Sequence, residues 1–145
     1  MFTNLLIATD GSELSQKAVE QGLALAKALG AKVSAVTVSE PWASVAYGEM
    51  AYGFPIEEYE KSAASNAAGI LEGVAEAAKK AGVACDSIHV KDRYPADGIV
   101  EAAKERRCDL IVMASHGRRG LSRLMLGSQA NGVVTHSTIP VLICR

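Results

Sequence analysis

Aromatic side chains are scarce here, making up 5% of the 145 residues. The core must therefore come from Ala, Val, Leu and Ile, which suits a chain that is 49% hydrophobic. Proline is also sparse, at 4 residues against 13 glycines, and there is no internal repeat, linker or low-complexity tract. Three cysteines, Cys85, Cys108 and Cys144, are scattered, odd in number and set in apolar runs. That usage fits reduced, buried thiols in a cytosolic protein. Together with His89, His116 and His136 they form no short-spaced ligand pair, which argues against a metal site. Neither sign of charge dominates, and the formal net charge of -1 argues against general affinity for nucleic acid or anionic membranes. No apolar run approaches the roughly 20 residues that span a bilayer. The opening "MFTNLLIATDGS" lacks the basic start and small-residue cleavage site of a signal peptide. The expectation is a soluble cytoplasmic protein with one domain over residues 1–145, a length that supports one real core but not two ordinary ones.

What the chain does hold is an alternation. "NLLIATD" (4–10), "KVSAVTV" (32–38), "CDSIHVK" (85–91), "DLIVMAS" (109–115) and "IPVLICR" (139–145) are short and rich in Leu, Val and Ile. The first and fourth are almost continuously apolar, as strands buried on both faces of a parallel sheet should be. Between them lie helical stretches. Residues 12–29 set Leu14, Ala18, Gly22, Leu25, Ala26 and Leu29 on one stripe, with Ser12 as N-cap and Gly30 as the stop. Residues 56–80 repeat the pattern with Ile56, Ala63, Ala67, Ile70, Leu71, Val74 and Ala78, ending at Gly82. Residues 95–107 open with Pro95 and Asp97 in the first turn, and a last helix runs from near Ser128 to about His136. This βαβαβαβαβ order predicts a parallel sheet with right-handed crossovers and helices on both faces. Ligands of such sheets sit beyond the carboxyl ends of the strands, where strand order reverses. The connection 39–55 holds the only Trp and is long for a compact domain; it reads either as a freely varying surface loop or as a lid or partner surface.

Two stretches at those carboxyl ends carry polar groups. Thr9-Asp10-Gly11-Ser12 leads from a strand into a helix. Its carboxylate accepts hydrogen bonds from a ribose or base, or holds a metal that bridges phosphates, or joins Ser12 in capping the helix. In "MASHGRRGLSRLMLGSQA" (113–130), Gly117 and Gly127 have nine residues between them and Ser128 opens a helix. Amide groups at a helix start and glycines that permit close backbone approach suit a phosphate. Arg118, Arg119 and Arg123 either neutralise phosphate charge or are ordinary loop arginines. His116 reads as a base or phosphate donor, or as a histidine bonded to backbone. No G-x-x-x-x-G-K-[ST], G-x-G-x-x-G or G-x-S-x-G pattern occurs, so P-loop ATPases, dinucleotide enzymes and serine hydrolases are not supported.

The segments "NLLIATDGSELSQKAVEQGLALAKALGAKVSAVTV" and "CDLIVMASHGRRGLSRLMLGSQANGVVTHSTIPVLICR" resemble the universal stress protein (UspA-like) family over essentially the whole chain. The resemblance implies a doubly wound, Rossmann-like α/β fold with a five-stranded parallel sheet in the order 3-2-1-4-5. Its ATP-binding members carry G-x2-G-x9-G-[ST]; here Gly117 and Gly127-Ser128 fit, while Ala114 stands where the first glycine belongs. An alanine there costs roughly 1 kcal/mol or more if positive φ is required, and only crowds the ligand if the backbone is an ordinary strand. Position by position, the resemblance implies an adenine and ribose end at Ala8, Thr9, Asp10 and Val38, with Val38 reading adenine through its backbone. Met113 and Ala114 lie beside the nucleotide. Gly117, Gly127, Ser128 and Gln129 hold the phosphates through backbone amides and the serine hydroxyl. The implied cofactor is ATP with Mg2+, and the implied partner is a second copy paired through the last strand, residues 140–145.

The reading is a stress-responsive regulator that binds an adenine nucleotide, with no catalytic residues. Two alternatives stand beside it: a slow ATPase or self-phosphorylating enzyme using Ser128 or His116, and a nucleotide-free dimeric scaffold in which Ala114 blocks the site.

Overall fold

The computed structural model describes residues 1–46, 55–117 and 126–145. Part of the 39–55 connection, and Arg118, Arg119 and Arg123, lie outside the described residues. The elements are β1 (Asn4–Ala8), α1 (Glu13–Leu29), β2 (Lys32–Ser39), α2 (Trp42–Val45), α3 (Ile56–Ala81), β3 (Cys85–Lys91), α4 (Pro95–Glu105), β4 (Leu110–Ala114), α5 (Ser128–His136) and β5 (Val141–Cys144). The five strands are parallel, as the alternation of elements predicted, and ordered β3-β2-β1-β4-β5, as the family resemblance implied.

Side chains of successive strand residues point to opposite faces, and the core divides accordingly. Leu5, Ile7, Val33, Ala35, Leu110, Val112 and Ala114 pack under α1 and α3. Leu6, Ala8, Val36, Ile111 and Met113 pack under α4 and α5. β1 and β4 are buried at every position, which is why they read as unbroken apolar runs.

Local chemistry sets the ends of the helices. Ser12 Oγ accepts from the Ser15 amide at 3.2 Å and caps α1. Gly30 and Gly82 stop α1 and α3 in left-handed conformation, at φ +66° and +75°. The following amides of Ala31 and Val83 bond back to the Ala26 and Ala78 carbonyls at 2.9 Å.

Several boundaries differ from the sequence reading. β1 ends at Ala8, because Gly11 at φ +81° turns the chain into α1. α4 ends at Glu105, where Arg107 at φ +54° redirects the chain toward β4. β5 begins only at Val141, and the short α2 had no signal in the sequence. α3, with 26 residues, is about 39 Å long, whereas the 8 residues of β2 span about 26 Å. Its first turns must run past the sheet, which explains why Ile56, placed on the buried stripe, is 48% exposed. No helix among the described residues is long and apolar enough to cross a membrane.

Candidate functional site

One cleft of about 660 Å³ opens across the carboxyl ends of β1, β2 and β4, a size usual for small-molecule sites. The structure brings all ten candidate positions to its wall: Ala8, Thr9, Asp10, Val38, Met113, Ala114, Gly117, Gly127, Ser128 and Gln129. Asn66, Ala67 and Ile70 of α3 and Pro95 and Ile99 of α4 also line it, and the sequence reading missed them. For Ala67 and Ile70 the signal was the 56–80 stripe, read only as core. A smaller depression of about 270 Å³ lies against β3 and α4. It carries the exposed Arg93–Glu101 ion pair (3.3 Å) and none of the converging loops.

The turn after β1 is held by its own hydroxyls. Thr9 Oγ1 lies 2.9 Å from Ser15 Oγ, both residues being buried, and it accepts from the Gly11 amide at 3.2 Å. Asp10 Oδ1 accepts the Ser12 amide at 2.9 Å. Ser12 therefore caps α1, and Asp10, bonded to the Ser12 amide, is also one of the residues that line the cleft.

Val38 presents its peptide group to the cleft by strand geometry. In β2 the Lys32 amide donates to the Thr3 carbonyl and the Val36 carbonyl accepts from Thr9. Even-numbered residues of β2 thus turn both backbone groups toward β1. Val38 lies two residues further, where β1 has already ended at Ala8. Its N–H and C=O face the space beyond that end.

The loop after β4 is closed at its neck. The Gly127 amide donates to the Ser115 carbonyl at 2.8 Å. A Cβ on Gly127 would sit 3.0 Å from that carbonyl, so only glycine fits without displacement. The donor expected for phosphate at Gly127 is therefore already used within the chain. The first intrahelical bond of α5 runs from the Asn131 amide to the Gly127 carbonyl. The amides of Ser128, Gln129 and Ala130 precede it, and Gly127 has no side chain to cap them. Gln129 turns its side chain away from this role: its Oε1 accepts the Ala96 amide at 3.1 Å and braces α5 against the start of α4.

Ala114 is the last residue of β4, paired with Cys144, and its φ is not positive. Its methyl is 7% exposed and belongs to the cluster under α1 with Val112 and Cys144. His116 lines the cleft and its Nδ1 lies 3.1 Å from Ser115 Oγ, a side-chain partner rather than the backbone one considered from sequence. Ser115 is 5% exposed and is not part of the cleft wall, so this pair presents no nucleophile to it. Among the described residues no group of three or more His, Cys, Asp or Glu is placed to hold a metal ion.

Comparison with known proteins agrees with this architecture. The chain is 35% identical to the universal stress protein YxiE of Bacillus subtilis, over all of both chains. A universal stress protein solved in complex with cAMP is 26% identical, with a TM-score of 0.70 covering 99% of this chain and 97% of that one. The protein UspA from Lactobacillus plantarum, 22% identical, shares the fold at a TM-score of 0.80 over 99% and 98% of the two chains. The model of the universal stress protein family matches residues 1–145, and on that match together with the YxiE identity this chain belongs to the universal stress protein family.

Proposed function

We propose that this protein is a cytoplasmic, homodimeric regulator in the stress response that binds ATP, with Mg2+ on its phosphates, and acts as a binding module rather than a turnover enzyme. The observation that carries the reading is a single cleft bounded by the Val38 peptide group, the Asp10 carboxylate and the start of α5. A donor and an acceptor on one backbone residue suit the edge of adenine. A carboxylate suits a ribose hydroxyl. Three helical amides at the positive end of a helix dipole suit phosphate. The apolar wall of Ala67, Ile70, Ile99 and Met113 suits the faces of a base. The relative solved with cAMP supports an adenine nucleotide as the ligand class.

Ala114 bears on the scaffold alternative. Its ordinary strand backbone and core-packed methyl favour a site that is retained. Calorimetric titration with ATP at millimolar magnesium is expected to give saturable heat. Ala114→Gly is expected to change the affinity by less than about threefold, below roughly 0.7 kcal/mol. A wild-type protein that gives no heat, beside an Ala114→Gly variant that binds, would establish the scaffold reading. His116 and Ser128 both line the cleft, which keeps an enzyme reading open to test. Prolonged incubation with γ-labelled ATP is expected to release no phosphate and to label no protein.

A further inference from the structure

The reading above treats Asp10 as a ligand-facing carboxylate, and the structure also indicates what holds that carboxylate in place. A Cβ added to Gly117 would sit 2.7 Å from Asp10 Oδ2, closer than real Cβ atoms come to any neighbour. The backbone of Gly117 does not explain the glycine. Its φ is not in the left-handed region, unlike those of Gly11, Gly30 and Gly82. What makes glycine necessary is the carboxylate beside it. The opposite oxygen, Oδ1, is already fixed by the Ser12 amide at 2.9 Å. The backbone beneath is fixed by the Thr9, Ser15 and Gly11 bonds. A carboxylate pushed away from position 117 moves against the Ser12 bond held by its other oxygen.

We propose that Gly117 is a positioning residue for Asp10: by having no side chain it lets the backbone at position 117 lie against the carboxylate and fixes the pose in which Asp10 meets the ligand. This rests on Asp10 facing a nucleotide, and it differs from the expectation that Gly117 serves the phosphates directly. A glycine that cleared space for phosphate would matter whatever stood at position 10. A glycine that clears space for Asp10 matters only while the carboxylate is there.

The test is a double-mutant cycle in the full chain, comparing wild type, Gly117→Ala, Asp10→Ala and the double variant. Titration with Mg-ATP by calorimetry is paired with the amide resonance of Ser12 in nucleotide-free protein. Gly117→Ala is expected to move the Ser12 amide upfield, as its bond to Oδ1 weakens, and to lower ATP affinity about tenfold or more. In the Asp10→Ala background the same substitution is expected to cost less than about twofold. An equal loss in both backgrounds would overturn the proposal, and so would an unmoved Ser12 amide. If wild type does not bind ATP, the nucleotide reading fails, while the Ser12 amide still decides whether Gly117 sets Asp10. If Gly117→Ala does not fold, the double variant must fold with the Tm of Asp10→Ala; its failure to do so would also refute the idea.

Discussion

Asp109 shows how one side chain ties together two strands that are distant in sequence. Its carboxylate accepts the Thr3 amide at 2.8 Å, the Thr3 hydroxyl at 3.0 Å and the Asn4 amide at 3.1 Å. These bonds hold the start of β1 to the start of β4. Burial pushes the carboxyl up, but the bonds from Thr3 and Asn4 outweigh it and leave the group below its ordinary value. A carboxylate depressed on folding stabilises fully above the unfolded value of about 3.9 and loses that contribution as pH falls through the folded value. Asp109→Asn is therefore expected to cost about 1 kcal/mol at neutral pH, after discounting for the partial exposure of the group. The difference from wild type should close as pH falls from the ordinary carboxylate value through the depressed one. Urea unfolding at pH 7 and at acid pH checks both arms; a gap of constant size would show that charge plays no part. The thiols are governed chiefly by burial. Cys108 and Cys144 are buried, as expected, but Cys85 is only half-buried at the edge of the sheet. Desolvation raises all three above the ordinary thiol value.

Helix glycines decide how closely the layers approach. A Cβ on Gly98 of α4 would lie 2.9 Å from both Cγ atoms of Val38 and 3.2 Å from Val90 Cγ1. Replacing it by alanine gains up to about 1 kcal/mol in helix propensity. Overpacking against two stiff β-branched side chains costs about 1–3 kcal/mol. We expect Gly98→Ala to lower the Tm and to weaken ATP binding, because the displaced residue, Val38, forms part of the cleft wall. A variant with raised Tm and unchanged affinity would show that α4 is free to move. The same close packing limits what the sequence could reveal. Apart from the short α2, the existence and order of strands and helices along the chain were legible, because buried parallel strands are apolar throughout and Ser12, Gly30 and Gly82 mark helix ends chemically. The buried stripe of α1 was read correctly at Ala18, Gly22 and Ala26, but the reading missed Ser15, Val19 and Leu23 and wrongly included Leu29, which is 42% exposed. Gly22 sits so close to the sheet that a Cβ would come 2.7 Å from Ile7 Cδ1, a closeness that its place on the stripe did not reveal. In the cleft, the strand-end positions were legible. The uses of the Gly127 amide and the Gln129 side chain were not, since their partners, Ser115 and Ala96, lie in other elements.

The molecule as a whole has two open sheet edges, and they are built differently. Along β3 the Val33 amide bonds to the Ala84 carbonyl. Even-numbered residues there face inward, and Cys85, Ser87, His89 and Lys91 turn their backbone outward. That edge is guarded by polar and charged side chains, with Asp86 and Lys91 on the strand itself. Along β5 the Pro140 and Cys144 carbonyls bond to the Ile111 and Ser115 amides. Val141 and Ile143 therefore turn their peptide groups to the outside. The strand reads Val-Leu-Ile-Cys without a charge, and Leu142 is 39% exposed. An unguarded apolar edge is a template for pairing, which supports the proposed homodimer through residues 140–145. Wild type is then expected to sediment at twice the 15.2 kDa chain mass. Leu142→Asp places like charges across a self-complementary contact and is expected to yield the monomer. Its ATP affinity should stay within about threefold of wild type, because every candidate nucleotide contact named above lies within one chain. A wild-type protein that sediments as a single chain would remove the dimer. A monomeric variant that loses ATP binding would show instead that the edge and the cleft are coupled through β4, which pairs with β5 and whose last residue, Ala114, lines the cleft.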